Sequence, residues 1–255
     1  MSTIKKVNAV SYDGPMRVVN GALKGMLGNN YSTTTVGEGA NGAALIDGEY
    51  MFMSYASLTS FSIDLPNLEN GTSMFSTCYN LASFTGDLSK LQNGTNMFDN
   101  CSNLTSFSTD LPNLENGNYM FANCFNLTSF STDLPKLVHG TNMFNGCNRL
   151  TSFTGDLSNL TDGTSMFFYC ELDVQSIVNV LSSIPFHSSG THILHMGFNT
   201  NFQNDPDGII RQWLKNSDGT EVSIPIAAGA YRCYGTDPND GVFKNKGWLI
   251  SISAL

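Results

Sequence analysis

The stretch CSNLTSFSTDLPNLENGNYMFAN, residues 101–123, is followed at 124–146 by CFNLTSFSTDLPKLVHGTNMFNG. Both segments are 23 residues long and place Cys, Leu, Phe, Asp-Leu, Leu, Gly and Met-Phe at matching positions. The same step runs outward in both directions, with Met-Phe pairs starting at Met51, Met74, Met97, Met120, Met143 and Met166 and no insertion between them. Leu58, Leu81, Leu104, Leu127 and Leu150 keep this register, as do Phe61, Phe84, Phe107, Phe130 and Phe153. A fixed period of roughly 20–50 residues marks a solenoid or a propeller, because one unit cannot bury its own apolar face and must stack on a neighbour. A period of 23 residues is short for a propeller blade and suits one solenoid coil.

Within a coil, Leu104 to Thr109 alternates near the period-2 pattern of a strand, which predicts one short strand around Ser106–Thr109. Gly71, Gly94, Gly117, Gly140 and Gly163 predict a corner where φ can be positive. Met120–Cys124 then predicts a helical or 3₁₀ turn on the opposite side. The expected fold is an α/β-type repeat solenoid, an array of 23-residue coils with one short parallel β-strand each, plus an α/β C-terminal cap. Its expected organisation is an N-terminal cap or docking segment over 1–44, the solenoid over 45–170 and a capping region over 171–255.

Net charge is −9 and only 13% of residues are charged, with Ser, Thr, Asn and Gly filling the polar positions. Eleven acidic residues between Leu45 and Cys170 face only Lys90, Lys136 and Arg149. A polyanion is repelled by such a surface, so nucleic acid is not an expected partner. No apolar run approaches the roughly 18 residues of a membrane span, and MSTIKKVNAV at residues 1–10 lacks the continuous apolar core of a signal peptide. Cys78, Cys101, Cys124, Cys147 and Cys170 share one repeat position, where parallel Cβ vectors suit bridging poorly. They are expected to form a ladder of buried free thiols, with no metal bound.

The pattern Leu104, Phe107, Met120-Phe121, Cys124, Leu127, repeated through Leu150, resembles the BspA-like class of bacterial leucine-rich repeats over about residues 45–170. The departure is Asp-Leu after the strand, where that class often carries an apolar residue followed by Pro. Behind the array, Leu172 to Leu181 reads as an amphipathic helix with Leu172, Ile177, Val178 and Leu181 on its apolar side. Thr191–Met196 reads as a strand, Asp207–Leu214 as a second helix, and Lys246-Gly247-Trp248 through Ile252 as a closing strand of the kind such proteins often end with.

Catalysis brings unlike groups together, whereas a repeat places like beside like. Asp64, Asp87, Asp110, Asp133 and Asp156 form a predicted carboxylate ladder. Each Asp either accepts backbone N–H bonds at its turn or joins a row of weak Ca²⁺ sites. His192 and His195 have the spacing of a metal pair but point to opposite faces of a strand. Asp205-Pro206-Asp207-Gly208 fails as a calcium loop, since Gln203 and Leu214 stand at ligand positions. No nucleophile-elbow, P-loop or dinucleotide fingerprint occurs, and the chain is not expected to be an enzyme or to hold a cofactor.

What remains is surface. With Phe107 and Thr109 inward, two outward columns follow: Ser60, Ser83, Ser106, Ser129 and Ser152, then Ser62, Thr85, Ser108, Ser131 and Thr154. These columns and the adjacent Asp ladder are the candidate binding residues, for solenoid sheets serve as extended recognition surfaces. The resemblance implies a cell-surface or extracellular protein that adheres through a protein or glycan ligand on a host or neighbouring cell. The alternative is a phage virion component, a fibre, tail or decoration protein docked to a scaffold through residues 1–44.

Overall fold

The computed structural model describes residues 17–19, 22–24, 35–36, 45–187, 192–197, 205, 208–216, 218–222, 226, 229–236 and 242–253. In the N-terminal segment, β1 (Arg17–Val19) pairs antiparallel with β2 (Ala22–Lys24). β3 (Thr35–Val36) pairs parallel with β4 (Ser60–Phe61), which pairs parallel with β5 (Ser83–Phe84). β6 (Ser129–Phe130) and β7 (Ser152–Phe153) form a second parallel pair, and Phe107 joins it through a bridge to Phe130. Between β4 and β5 and between β6 and β7, facing residues are 23 apart in the sequence.

The expected strand over Ser106–Thr109 is therefore shorter, a Ser-Phe pair that ends at the Phe in the coils of β4 to β7 and a single bridge at Phe107 in this one. Beyond it the backbone of one coil lies hard against the previous one: a Cβ on Gly86 meets the Ile63 carbonyl oxygen at 2.2 Å, and one on Gly155 meets that of Thr132 at 2.7 Å. Thr109 and Thr132 fill the same position in the coils between. There the Phe107 ring stands 6.0 Å from both Phe84 and Phe130, and the sheet divides.

Two further ladders join the coils. Parallel bridges run Asp47, Asn70, Asn93, Asn116, His139, Asp162. On the Met-Phe side, alternate amides donate to the next coil: Ser73 to Thr95 at 2.8 Å, Phe75 to Met97 at 2.8 Å and Thr77 to Asp99 at 2.7 Å, a set repeated from Tyr50 to Gly146. This side is neither helix nor 3₁₀ turn, contrary to the reading of Met120–Cys124. Bonds from Met74 N–H to Gly71 and from Cys78 N–H to Phe75 close two consecutive β-turns per coil. The third residue of each turn is left-handed: Ser73 has φ 52° and Thr77 φ 62°, with equivalents at Tyr50, Ser54, Asn96, Asn100, Tyr119, Asn123, Asn142, Gly146, Ser165 and Tyr169. Two left-handed residues per coil exclude a helix.

The repeat glycines thus need a different explanation from positive φ, which falls two residues later. A Cβ on Gly94 meets Met120 Sδ at 2.8 Å, one on Gly71 meets Met97 Sδ at 2.8 Å, and Gly117 and Gly140 lie against Met143 and Met166 in the same way. Space for the next coil's methionine, not backbone freedom, selects glycine.

The core consists of stacked columns. Phe52, Phe75, Phe98, Phe121, Phe144 and Phe167 lie 5.3–5.5 Å apart, centroid to centroid, and nearly parallel. Phe61, Phe84, Phe107, Phe130 and Phe153 form a second column, meeting the first edge to face at 4.8–5.7 Å. Each buried Phe contributes roughly 1.5–3 kcal/mol and each aromatic pair about 0.5–1.5 kcal/mol beyond that. The repeat methionines, leucines and cysteines fill the rest. All six cysteines are free. Each array thiol donates to a carbonyl of the previous coil, from Cys78 to Phe52 at 3.1 Å through Cys170 to Phe144 at 3.1 Å.

The last coil passes into the C-terminal region on two sides. α1 (Val174–Ser183) starts at Asp173, whose carboxylate accepts the Ser176 N–H at 2.7 Å. It buries Ser176, Ile177, Val180 and Leu181. Ser176 Oγ accepts the Phe153 N–H at 2.8 Å and donates to Thr151 O at 3.3 Å, occupying the place of a next strand beside β7. On the Met-Phe side, β8 (Gly163–Phe167) pairs parallel with β9 (His192–Gly197) in a five-stranded sheet. Its order is β10 (Leu214–Lys215), β11 (Gly229–Thr236), β12 (Phe243–Ser253), β9, β8.

β9 matches the expected strand from His192 onward, while Thr191 lies outside the described residues. The closing strand starts at Phe243, ahead of Lys246. The second helix is not formed over the described part of 207–214. Gly208 has φ +68°, the Asp205 carboxylate takes the amides of Ile210 and Arg211 at 2.8 and 3.0 Å, and only a 3₁₀ turn at Arg211–Trp213 follows before β10. Asp207 lies outside the described residues.

Two outcomes follow. Gly94→Ala destabilises the array by about 1–3 kcal/mol through overpacking, and Met120→Ala in the same chain recovers part of that loss relative to Met120→Ala alone. Urea unfolding of the four proteins measures it, and strict additivity contradicts the steric reading. Burial pushes the Cys78 and Cys147 thiols up to about 12 and those of Cys101, Cys124 and Cys170 well above the ordinary range. Their contribution is present below the unfolded thiol value near about 8.5 and is lost as pH rises from there toward about 12. Thiol labelling of the native protein at about pH 8 is accordingly slow at all five and fast in denaturant. Rapid native labelling contradicts the buried ladder.

Candidate recognition surface

The strand face carries the predicted residues where the sequence places them. Ser83, Ser106 and Ser129 are exposed, and Ser60 and Ser152 half-buried; Ser62, Thr85, Ser108, Ser131 and Thr154 are all exposed. Ser60 pairs with Ser83 and Ser129 with Ser152, so the columns run along the array from coil to coil. The inward partners are Phe107 and its equivalents, with Ile63, Gly86, Thr132 and Gly155 buried and Thr109 half-buried.

The carboxylates sit at the end of this face, with Asp64, Asp110 and Asp133 exposed and Asp87 and Asp156 half-buried. Asp87 Oδ1 accepts the Ser89 N–H at 2.8 Å, and Asp156 accepts the Ser158 N–H and hydroxyl at 2.9 Å each. Asp64 Oδ1 instead accepts the Asp87 N–H of the next coil at 3.1 Å. These bonds to backbone N–H groups are the turn role available to Asp. Among the described residues, no group of three or more His, Cys, Asp or Glu side chains is placed to hold a metal ion.

The other half of each coil holds residues that the strand pattern does not single out. Tyr50, Tyr79, Tyr119, Phe125 and Tyr169 are each 42–51% exposed, and all lie between the Asn/Asp ladder and the next strand. Among the described residues, the strand face has no exposed aromatic. Tyr79 and Phe125 occupy the same repeat position, directly after Cys78 and Cys124. Aligning that column in the sequence is the signal that finds them.

Beside these rings runs a row of planar polar groups. Asn80 Nδ2 donates to Ala56 O at 2.6 Å, Asn103 Nδ2 to Asn80 Oδ1 at 3.3 Å, Asn126 Nδ2 to Ser102 O at 2.8 Å and Arg149 to Asn126 Oδ1 at 2.9 Å. Each side chain is therefore held by the preceding coil.

Three of the four histidines, His187, His192 and His195, gather at the join with the C-terminal region and bond to backbone, while His139 stands in the bridge ladder of the array. His187 and His192 stack with centroids 3.6 Å apart beside Trp248. His187 Nε2 donates to Leu160 O at 3.2 Å and His192 Nδ1 to Thr161 O at 2.7 Å, while His195 Nδ1 accepts the Ser165 N–H at 3.1 Å. Burial, and secondarily the neighbouring His192, holds the His187 imidazole below its ordinary value. The buried Lys246 donates to the carbonyls of Leu181, Ser182 and Ile184 at 3.1, 2.7 and 2.8 Å, which terminate α1. Desolvation lowers its pKa. These contacts give the polar residues of the C-terminal region a structural role.

No helix among the described residues is long and apolar enough to cross a membrane. No curated protein and no solved structure matches the chain. A repeat-family comparison does match, in six copies over residues 46–173, the span of stacked columns described above. The chain belongs to the BspA-type leucine-rich repeat family.

Proposed function

We propose that this chain is a non-enzymatic surface protein that uses its repeat array for adhesion, by binding a protein or glycan on a host or neighbouring cell. The observation that carries this reading is the strand face. Its Ser and Thr columns, with Asp64, Asp87, Asp110, Asp133 and Asp156 along one margin, are held in register over a continuous core. Leucine-rich repeats of this type serve surface and protein binding in general. Small hydroxyls repeated at one coil's spacing offer many weak contacts, which become strong together when the ligand repeats as well. The residues named in this role are the ten Ser/Thr positions of the two columns and the five Asp positions. The C-terminal region acts as a cap in this reading, through Ser176 on the open edge of β7 and β9 on β8.

Two measurements test the proposal. Immunogold on the source culture is expected to label the outside of intact cells; label confined to virions overturns the cell-surface assignment. In an adhesion assay with purified protein, Ser83→Arg/Ser106→Arg/Ser129→Arg is expected to weaken attachment about tenfold or more. Stability changes little, because exposed substitutions stay within about 0.5 kcal/mol each. Unchanged attachment shows that the strand face is not the ligand face.

A further inference from the structure

The aromatic corner of the array identifies the chemistry of the ligand more narrowly than the strand face does, and the inference rests on the recognition function proposed above. We infer that the corner carrying Tyr79 and Phe125 is a binding site for a neutral glycan chain lying along the array. Tyr79 is 51% and Phe125 44% exposed, both at the same register position. They sit two coils apart, about 10 Å at the roughly 4.8 Å spacing of neighbouring strands. Each ring leaves an apolar face in water beside a polar side chain, Asn80 or Asn126, that is itself held by the preceding coil. Ser102 and Asn148 hold that position in the coils between and after them, so two isolated rings are presented rather than a continuous apolar patch.

A protein partner anchors in a contiguous desolvated cluster ringed by contacts that exclude water. Two separate rings at a fixed interval suit a polymer whose own units repeat. The C–H face of a pyranose ring stacks on each aromatic, and its ring hydroxyls meet the flanking amides. Those partners are present: Asn80, Asn103 and Asn126 form one column beside the rings, with each amide fixed by a bond to the preceding coil or column neighbour. Amide groups held before binding lose little entropy on binding.

The charge distribution decides between neutral and anionic glycans. The net charge is −9, and Arg149, bonded to Asn126 Oδ1, is the only basic side chain in the column that holds these asparagines. A sulfated or uronate chain is therefore repelled by the array as a whole. Tyr79 and Phe125 precede Ser83 and Ser129 by four residues, which places the rings along the leading margin of the strand face. A glycan stacked there lies with its far edge toward the Ser/Thr columns.

The test uses the full chain in calorimetric titration with cellohexaose and chitohexaose, and with heparin as the anionic control. At least one neutral hexasaccharide is expected to bind and heparin not. Tyr79→Ala and Phe125→Ala each weaken binding about fivefold to tenfold, the double variant abolishes it, and Tyr79→Trp retains it. Unchanged cooperative unfolding of the variants shows that the loss is local. No binding of either hexasaccharide, heparin binding in their place, or neutral binding indifferent to the double variant overturns the inference. The function proposed above stands or falls separately, on the strand-face arginine variant in the adhesion assay.

Discussion

The array depends on one contact repeated from coil to coil, the Phe of each Met-Phe pair stacked on the next, with its amide donating to the methionine carbonyl of that next coil. Phe75 N–H reaches Met97 O and Phe98 N–H reaches Met120 O, both at 2.8 Å, while the rings lie 5.4 Å apart. Side chain and backbone thus enforce the same 23-residue register. A slip of one residue removes both at once, because it takes each ring off its neighbour and breaks the ladder. The left-handed residues are a consequence. Non-glycine residues in this conformation cost roughly 1–2 kcal/mol each, and they persist because the turn bonds and the buried Phe and Cys on either side fix the backbone between them.

Strict register also shapes what the surface can do. Each exposed position becomes a column of like groups, so an acid rarely meets a base and a nucleophile rarely meets its activator. The thiols show this plainly: five cysteines in line, each donating to a carbonyl and held protonated by burial. Such a scaffold presents its surface groups by repetition. It offers hydroxyls and carboxylates on the strand face and, on the neighbouring corner, rings at every second coil from Tyr79 to Phe125 beside a column of amides.

Much of this was legible in the sequence, since period and residue type alone specify the Phe, Leu, Met and Cys columns. The misreadings have a common physical cause. Gly94 looks like a turn residue locally, yet its selection comes from Met120, which lies 26 residues on. The positive φ falls instead on Ser73, Tyr119 and Ser165, chosen by the bonds between coils rather than by their own preference; only Gly146 and the asparagines at Asn96, Asn100, Asn123 and Asn142 carried a local hint. The strand face was located correctly in the sequence by alternation, whereas the aromatic corner has no alternation to betray it. In the C-terminal region, α1 was legible by its period, though Val180 was missed. β11 was not. The helix read at 207–214 yielded to Gly208 and to the Asp205 carboxylate.

Amide hydrogen exchange on the intact protein tests the central claim most directly, because it reads the ladder between coils one residue at a time. The decisive amides are those of Phe52, Phe75, Phe98, Phe121 and Phe144, each bonded to the following coil at 2.8–2.9 Å. The account predicts that all five exchange only with global unfolding, at one common slow rate shared with the amides of β4 to β7. Exchange of the Phe amides orders of magnitude faster than those of the strands contradicts it, since the Met-Phe side is then an open turn and not the structural spine of the array.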